Sequence, residues 1–153
     1  MHKMSYFSKK IISWQKINGR NNLPWQAKSP YHVWISEIML QQTQVKTVIP
    51  YFHKFIKSFP SIKSLAKSDL DKVLANWSGL GYYTRAKNIH RASKIIHQKF
   101  NGIIPNDYEQ LIELPGIGES TAGALLSLAF DEPGIILDGN VKRELIRFLG
   151  DKY

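Results

Sequence analysis

The sequence predicts an all-α protein, and three observations carry that reading. Apolar residues recur at helical spacing in one segment after another. Ser, Asp and Pro at segment starts and Gly at segment ends punctuate them as helix caps do. Strand-like alternation is nowhere sustained.

Taken in order, Phe7, Ile11, Trp14 and Ile17 form the first helical stripe, and Gly19 follows as a stop. Leu23-Pro24-Trp25 reads as a short extended link. Ser29 before Pro30 is the pattern of an N-cap followed by proline at the first helical position. It opens a helix to about residue 40 with Val33, Trp34 and Ile38 on its apolar side. Thr43 is placed to cap the next helix, which carries Val48, Phe52, Phe55 and Phe59. Pro50 within it predicts a kink or a place in an early turn. Ser61 and Ser68 start two short helices, Ser68 forming a box-like pair with Asp71. Gly79-Leu80-Gly81 is a flexible break. Ala86, Ile89, Ala92 and Ile96 then give a long helix ended by Asn101-Gly102. Residues 107–114 and 119–130 read as helices around a tight turn. Residues 131–134 form a loop, and 141–149 a last helix. No internal repeat or low-complexity segment is present.

A chain of 153 residues is long enough to bury a core, and 43% hydrophobic content is globular rather than disordered. No apolar run reaches the roughly 18 residues that cross a bilayer. The opening MHKMSYFSKK lacks the apolar stretch of a signal peptide, so a soluble, cytoplasmic protein is expected. Cysteine is absent, which excludes disulfides, thiolate metal sites and a cysteine nucleophile in this chain. A formal net charge of +9 points to polyanions, nucleic acid first, although Lys-rich chains also become basic by drift.

Two motifs are more specific. Leu114-Pro115-Gly116-Ile117-Gly118 joins two amphipathic segments. Its two glycines permit a sharp turn and a close backbone approach. The following helix would present free N–H groups and its positive end there, a grip on a DNA phosphate that ignores sequence. A plain helix-turn-helix corner is the alternative; the small residues Ser120-Thr121-Ala122-Gly123-Ala124, which allow close helix packing, favour the hairpin. About twenty residues on, Asp138 follows the apolar run Ile135-Ile136-Leu137. An Asp there is either an ordinary N-cap or a functional carboxylate, and the hairpin at this spacing favours the second.

LPGIG followed by LDGNVKR resembles the helix-hairpin-helix DNA glycosylases with a Gly/Pro loop and an essential Asp. The stretches PYHVWISEIMLQQTQVKTV and WSGLGYYTR are similar to the adenine DNA glycosylase (MutY-type) branch, and the likeness runs from about residue 7 to residue 149. The resemblance implies an all-α helix-hairpin-helix glycosylase fold. Residues 22–132 would form a six-helix lobe with the hairpin at about 107–130, and 1–21 and 133–153 parts of a second helical lobe. It implies an N-terminal portion of a longer enzyme.

The same resemblance implies residue roles. Glu37 matches the general acid, with Trp34, Ile38 and Leu40 favouring its protonated form. Asp138 matches the carboxylate that stabilises the sugar cation, so that one carboxyl is neutral and one ionised. Gln42 and Tyr82 match residues that enter the duplex when the base is flipped, and Thr43 and Leu80 match positions near the opposite base. Pro115, Gly116, Ile117 and Gly118 match the phosphate-gripping turn. Trp25 and Gln26 would line the adenine pocket, and Tyr83 would be a core aromatic. Asn140 matches a support for Asp138, and Lys142 is spaced to pair with it. Ser120 stands where bifunctional relatives carry a Lys nucleophile, implying a monofunctional enzyme. Family members bind a 4Fe-4S cluster through later cysteines, which this chain lacks. The implied partner is double-stranded DNA with adenine mispaired to 8-oxoguanine or guanine, met by a monomer. A DNA-binding fragment without catalysis, with Trp14 and its neighbours forming an exposed apolar patch, is the alternative. A bifunctional pyrimidine glycosylase/lyase is a further one, opposed by Ser120.

Overall fold

Every regular element among the described residues, 6–26 and 29–150, is helical in the computed structural model. The outermost parts of the segments 1–21 and 133–153 lie outside the described residues, as does the start of the MHKMSYFSKK stretch. In chain order the helices are α1 Tyr6–Asn18, α2 Pro30–Leu40, α3 Val45–Ser58, α4 Ile62–Ala66, α5 Leu70–Trp77, α6 Thr84–Lys99, α7 Tyr108–Ile112, α8 Glu119–Ala129 and α9 Gly139–Leu149.

The apolar stripes explain how they assemble. α2 is apolar almost all round and buries Tyr31, Val33, Trp34, Ile35, Ile38 and Met39, as a helix surrounded by others must. It packs on α3, α6 and α8; α4 and α5 close over α6, and α7 lies on α8. The core runs from Trp25 to Leu126. Aromatic side chains fix its centre: Phe55 meets Trp77 edge-on at 5.9 Å, and the Tyr31 hydroxyl donates to the Phe59 carbonyl at 2.7 Å. α1 and α9 bury no residue, and Trp14 is 62% exposed. They meet through Phe7 and Phe148, whose rings stack at 4.0 Å.

Several helix starts differ from those expected. Ser29 holds the N-cap position of α2 with Pro30 as its first residue, as expected, but the Ser29 hydroxyl bonds no helix amide and instead meets His32 Nδ1 at 2.6 Å. Gln44, not Thr43, precedes α3, because the Thr43 hydroxyl accepts from the Arg85 guanidinium at 3.1 Å. Asp69, not Ser68, precedes α5, and Ser68 donates to the Asp69 carbonyl. The capping box that does form is Ser61 with Ser64. Pro50 lies inside α3, where it can offer no amide to the carbonyl one turn back. α7 is shorter than expected, but Asp107 caps it, accepting from the Gln110 amide at 3.0 Å.

Candidate active site

Glu37 sits near the C-terminal end of α2, half-buried beside the fully buried Trp34 and Ile38. No described group hydrogen-bonds or ion-pairs with its carboxyl. Burial raises its pKa above the ordinary glutamic acid range, and the negative charge of Asp138 raises it further. The two carboxyls come from sequence positions a hundred residues apart, yet they line one cavity of about 630 Å³ with Gln42, Ser120, Asn140 and Arg143. A volume of that size falls in the range of ligand sites.

Asp138 is the N-cap of α9. Its Oδ1 accepts from the Asn140 and Val141 amides, both at 2.8 Å, and no bond to Oδ2 is found among the described residues. The segment leading into it is set by backbone contact with α8. A Cβ on Gly123 would stand 2.0 Å from the Ile135 carbonyl oxygen, so only glycine admits this approach.

The hairpin is anchored from below and bare above. Leu114 and Ile117 are buried, whereas Gly116 and Gly118 are exposed. The Ile117 amide closes the turn on the Leu114 carbonyl at 3.1 Å. Gly116 has φ +82 and lies against Asn88 of α6, where a Cβ would come within 2.9 Å of that residue's own Cβ. Gly118 precedes α8 without a side chain to cap it, so the first amides of α8 keep their donors. Glu119, also in that first turn, adds a negative charge beside this positive end.

Two further loops stand near α2. Gln42 and Tyr82 are exposed and adopt left-handed φ values of 56° and 48°, which residues with a Cβ rarely take. Leu80 is buried, with its amide on the Trp77 carbonyl at 3.0 Å. Tyr83, expected in the core, is 44% exposed, standing at the N-cap position of α6 rather than within a packed helix.

Other candidates lie elsewhere or act differently. Trp25 is buried edge-on against Phe52, and Gln26 bonds the Arg20 carbonyl and the Leu23 amide; neither lines the Glu37–Asp138 cavity. Asn140 meets Asp138 through its backbone amide, while its side chain accepts from Arg143. Lys142 and Asp138 form no ion pair. Their link is the backbone bond from the Lys142 amide to the Asp138 carbonyl at 2.9 Å, and the Lys142 side chain lines a neighbouring apolar cavity with Leu137 and Ile135. With no cysteine in the sequence, and no cluster of three His, Cys, Asp or Glu among the described residues that could hold a metal, this chain's donors do not fit an iron–sulfur cluster.

Sequence reasoning assigned no role to Arg85. Its guanidinium is buried between α2 and the loop at 78–83 and takes six oxygen acceptors. Burial lowers its pKa, with Tyr82 opposing, but a guanidinium stays charged in proteins. Arg143 was missed too, because Asn140 was assigned to Asp138, whereas the Asn140 side chain accepts from Arg143.

No described helix is long and apolar enough to cross a membrane. The fold is that of solved DNA glycosylases. A thermostable thymine-DNA glycosylase superposes with a TM-score of 0.85 at 23% identity, covering 91% of this chain and 64% of that one. Endonuclease III in a non-covalent DNA complex gives 0.79 at 22% identity, covering 95% and 68%. In sequence the chain is 62% identical over 152 residues to the adenine DNA glycosylase of Buchnera aphidicola subsp. Baizongia pistaciae, covering 96% of this chain and 43% of that protein. It is 39% identical to the adenine DNA glycosylase of Rattus norvegicus, covering 92% and 29%. The chain thus spans less than half the length of these relatives. Residues 35–152, which hold the hairpin and both carboxyls of the cavity, match the family described as HhH-GPD superfamily base excision DNA repair protein, and the chain belongs to that family.

Proposed function

We propose that this chain carries the catalytic centre of a monofunctional adenine DNA glycosylase acting on adenine mispaired with 8-oxoguanine or guanine in duplex DNA. The observation that carries the reading is the cavity shared by Glu37 and Asp138. One carboxyl is half-buried, unpaired and shifted toward its protonated form; the other is exposed and capped by two amides.

Protonated Glu37 donates to N7 of adenine. The C1′–N9 bond then breaks, and its electron pair leaves with the base. The sugar is left as an oxocarbenium ion, which the ionised Asp138 stabilises. Water adds at C1′ and returns a proton to the carboxyl pair, so the sum is hydrolysis. The pair keeps its roles because the two environments differ. Ser120 lines the same cavity and has no amine to attack the sugar, which supports hydrolysis without strand cleavage.

In this reading Pro115, Gly116, Ile117 and Gly118 hold a phosphate, and Gln42 and Tyr82 enter the duplex beside Thr43 and Leu80. Residues 22–132, which among the described residues carry the seven helices α2 to α8 rather than the six expected, form the first lobe, and 1–21 with 133–153 belong to a second one. The protein acts as a monomer on chromosomal DNA in the cytoplasm.

The test is single-turnover adenine release from an 8-oxoguanine:adenine duplex, with Glu37→Gln and Asp138→Asn as controls. Release that both variants abolish supports the proposal. Strand cleavage without added base would overturn the monofunctional assignment. Duplex binding without release favours a second reading, a DNA-binding fragment without catalysis. That reading draws on α1 and α9, which bury no residue.

A further inference from the structure

Arg85 stands at the start of α6, 8% exposed, and its guanidinium lies at the junction of three backbone segments. Nη1 donates to the carbonyls of Ile38, Met39 and Gln41, at 3.1, 2.7 and 2.6 Å. These are carbonyls at the C-terminal end of α2, the helix that holds Glu37, and a cation is favoured there. Nη2 donates to the Thr43 hydroxyl at 3.1 Å and to the carbonyls of Leu80 and Gly81 at 3.4 and 3.2 Å. The plane also lies 5.4 Å from the ring centroids of both Trp77 and Tyr82.

Two of the acceptors immediately precede residues in unfavourable conformations. Gln41 leads into Gln42 and Gly81 into Tyr82, and both Gln42 and Tyr82 are left-handed without being glycine. Such conformations persist when their surroundings over-determine them. A single planar group with a fixed fork of donors reaches both loops at once; an ammonium at the end of a lysine is a point donor and does not span them.

We propose that Arg85 is a positioning residue that locks the Gln42 and Tyr82 loops into one rigid unit on the end of the Glu37 helix. The loops then meet a partner preformed. For DNA this consequence rests on the glycosylase reading, in which Gln42 and Tyr82 fill the gap left by the flipped base. Duplex grip by the hairpin is separate, because the hydrogen bonds of the Arg85 guanidinium go to residues 38–43 and 80–81 and none to 114–118.

The experiment compares hydrogen exchange in the full wild-type chain, Arg85→Met and Arg85→Lys. The amides to follow are Thr43, bonded to the Leu40 carbonyl, and Leu80, bonded to the Trp77 carbonyl. Both variants are expected to speed exchange at both amides about tenfold, with core amides of α3 and α6 unchanged. Exchange that rises at one loop alone, at neither, or uniformly through the core refutes the coupling. Arg85→Lys keeps a charge at this position and serves if Arg85→Met does not fold. In parallel, 2-aminopurine at the target position reports base extrusion. Extrusion should slow about tenfold while duplex affinity changes by less than about threefold. A wild-type chain that extrudes no base counts against the glycosylase reading, and the exchange result still decides the clamp.

Discussion

Gly123→Ala tests how Asp138, the proposed cation-stabilising carboxylate, is held. In the wild-type chain the α8 backbone at Gly123 approaches the Ile135 backbone so closely that a Cβ would lie 2.0 Å from the carbonyl oxygen, 2.7 Å from its carbon and 3.0 Å from the amide nitrogen. All three neighbours are main chain, so no side chain can rotate aside. Ordinary contact begins at about 3.4 Å, so the two backbones must part by about 1.4 Å. α8 is fixed by buried Ala122, Ala124, Leu125 and Leu126, whereas 135–137 are largely exposed, so the second segment is the one that moves. Asp138 follows three residues later. Overpacking of this kind costs about 1–3 kcal/mol, and alanine recovers about 1 kcal/mol of helix propensity. The net loss of stability is therefore small, a fall in Tm of a few degrees. The catalytic loss is larger, since misplacement by about 1 Å costs about 100-fold in rate. The assay is single-turnover adenine release beside a thermal melt and a duplex-binding isotherm. The expected result is a rate down about 100-fold with affinity nearly unchanged. A rate within about threefold of wild type, in a folded protein, would refute the argument that this contact sets the position of Asp138.

Substitutions at three other residues separate further roles. Glu37→Gln should cut adenine release by about 10²–10⁴-fold, the usual contribution of a general acid. Its effect on Tm should depend on pH. The pKa of Glu37 is raised on folding, so its favourable contribution is complete below the ordinary glutamic acid value and is lost as pH rises through the raised one. The amide does not titrate, so the variant should match wild type in acid and exceed it in Tm at neutral and alkaline pH; a gap constant with pH would contradict this. Asp138→Asn keeps an oxygen for the cap and removes the charge, whereas Asp138→Ala removes both. Amide exchange at Asn140 and Val141 should rise about fivefold in the alanine variant alone, matching a cap worth about 1 kcal/mol, while release falls in both. Gly116→Ala forces a side chain into a left-handed position against Asn88, and duplex affinity measured by titration should weaken about tenfold with the base step less affected.

How much of this was legible in the sequence follows the range of the interactions. The helical segments and the cap Asp138 are local patterns, and the structure has them. Thr43 and Ser68 have equally good local patterns but do not hold the N-cap position, and Ser29 holds it without a side-chain bond to a helix amide. Each hydroxyl has another partner, and for Thr43 that partner is a charged donor 42 residues away. Arg85 ends the WSGLGYYTR stretch, yet its acceptors lie up to 47 residues back, so no local pattern marks it as buried. Gly123 reads as one small residue in a run of them, and its need to be glycine appears only when 135 is laid against it. Glu37 was singled out by resemblance, with Trp34 and Ile38 as the reason for its raised pKa. Packing adds the field of Asp138, which no spacing in the sequence predicts.

The two carboxyls of the cavity also differ in how firmly they are mounted. Glu37 rides on α2, whose neighbours fill the core, and its loop end is tied down by Arg85. The hairpin is likewise pinned by Leu114 and Ile117. Asp138 heads a helix with no buried residue, steadied among the described residues by its own cap bonds, by the approach of Ile135 to Gly123, and by Phe148 on Phe7. Elements with little buried apolar area open at low free energy. The hairpin and Glu37 therefore share the stability of the core, while Asp138 depends on a shallower set of contacts. In the proposed reaction the rate depends on the placement of both carboxyls and duplex grip on the hairpin, so perturbations of α1 or α9 should act on the chemical step before they act on binding.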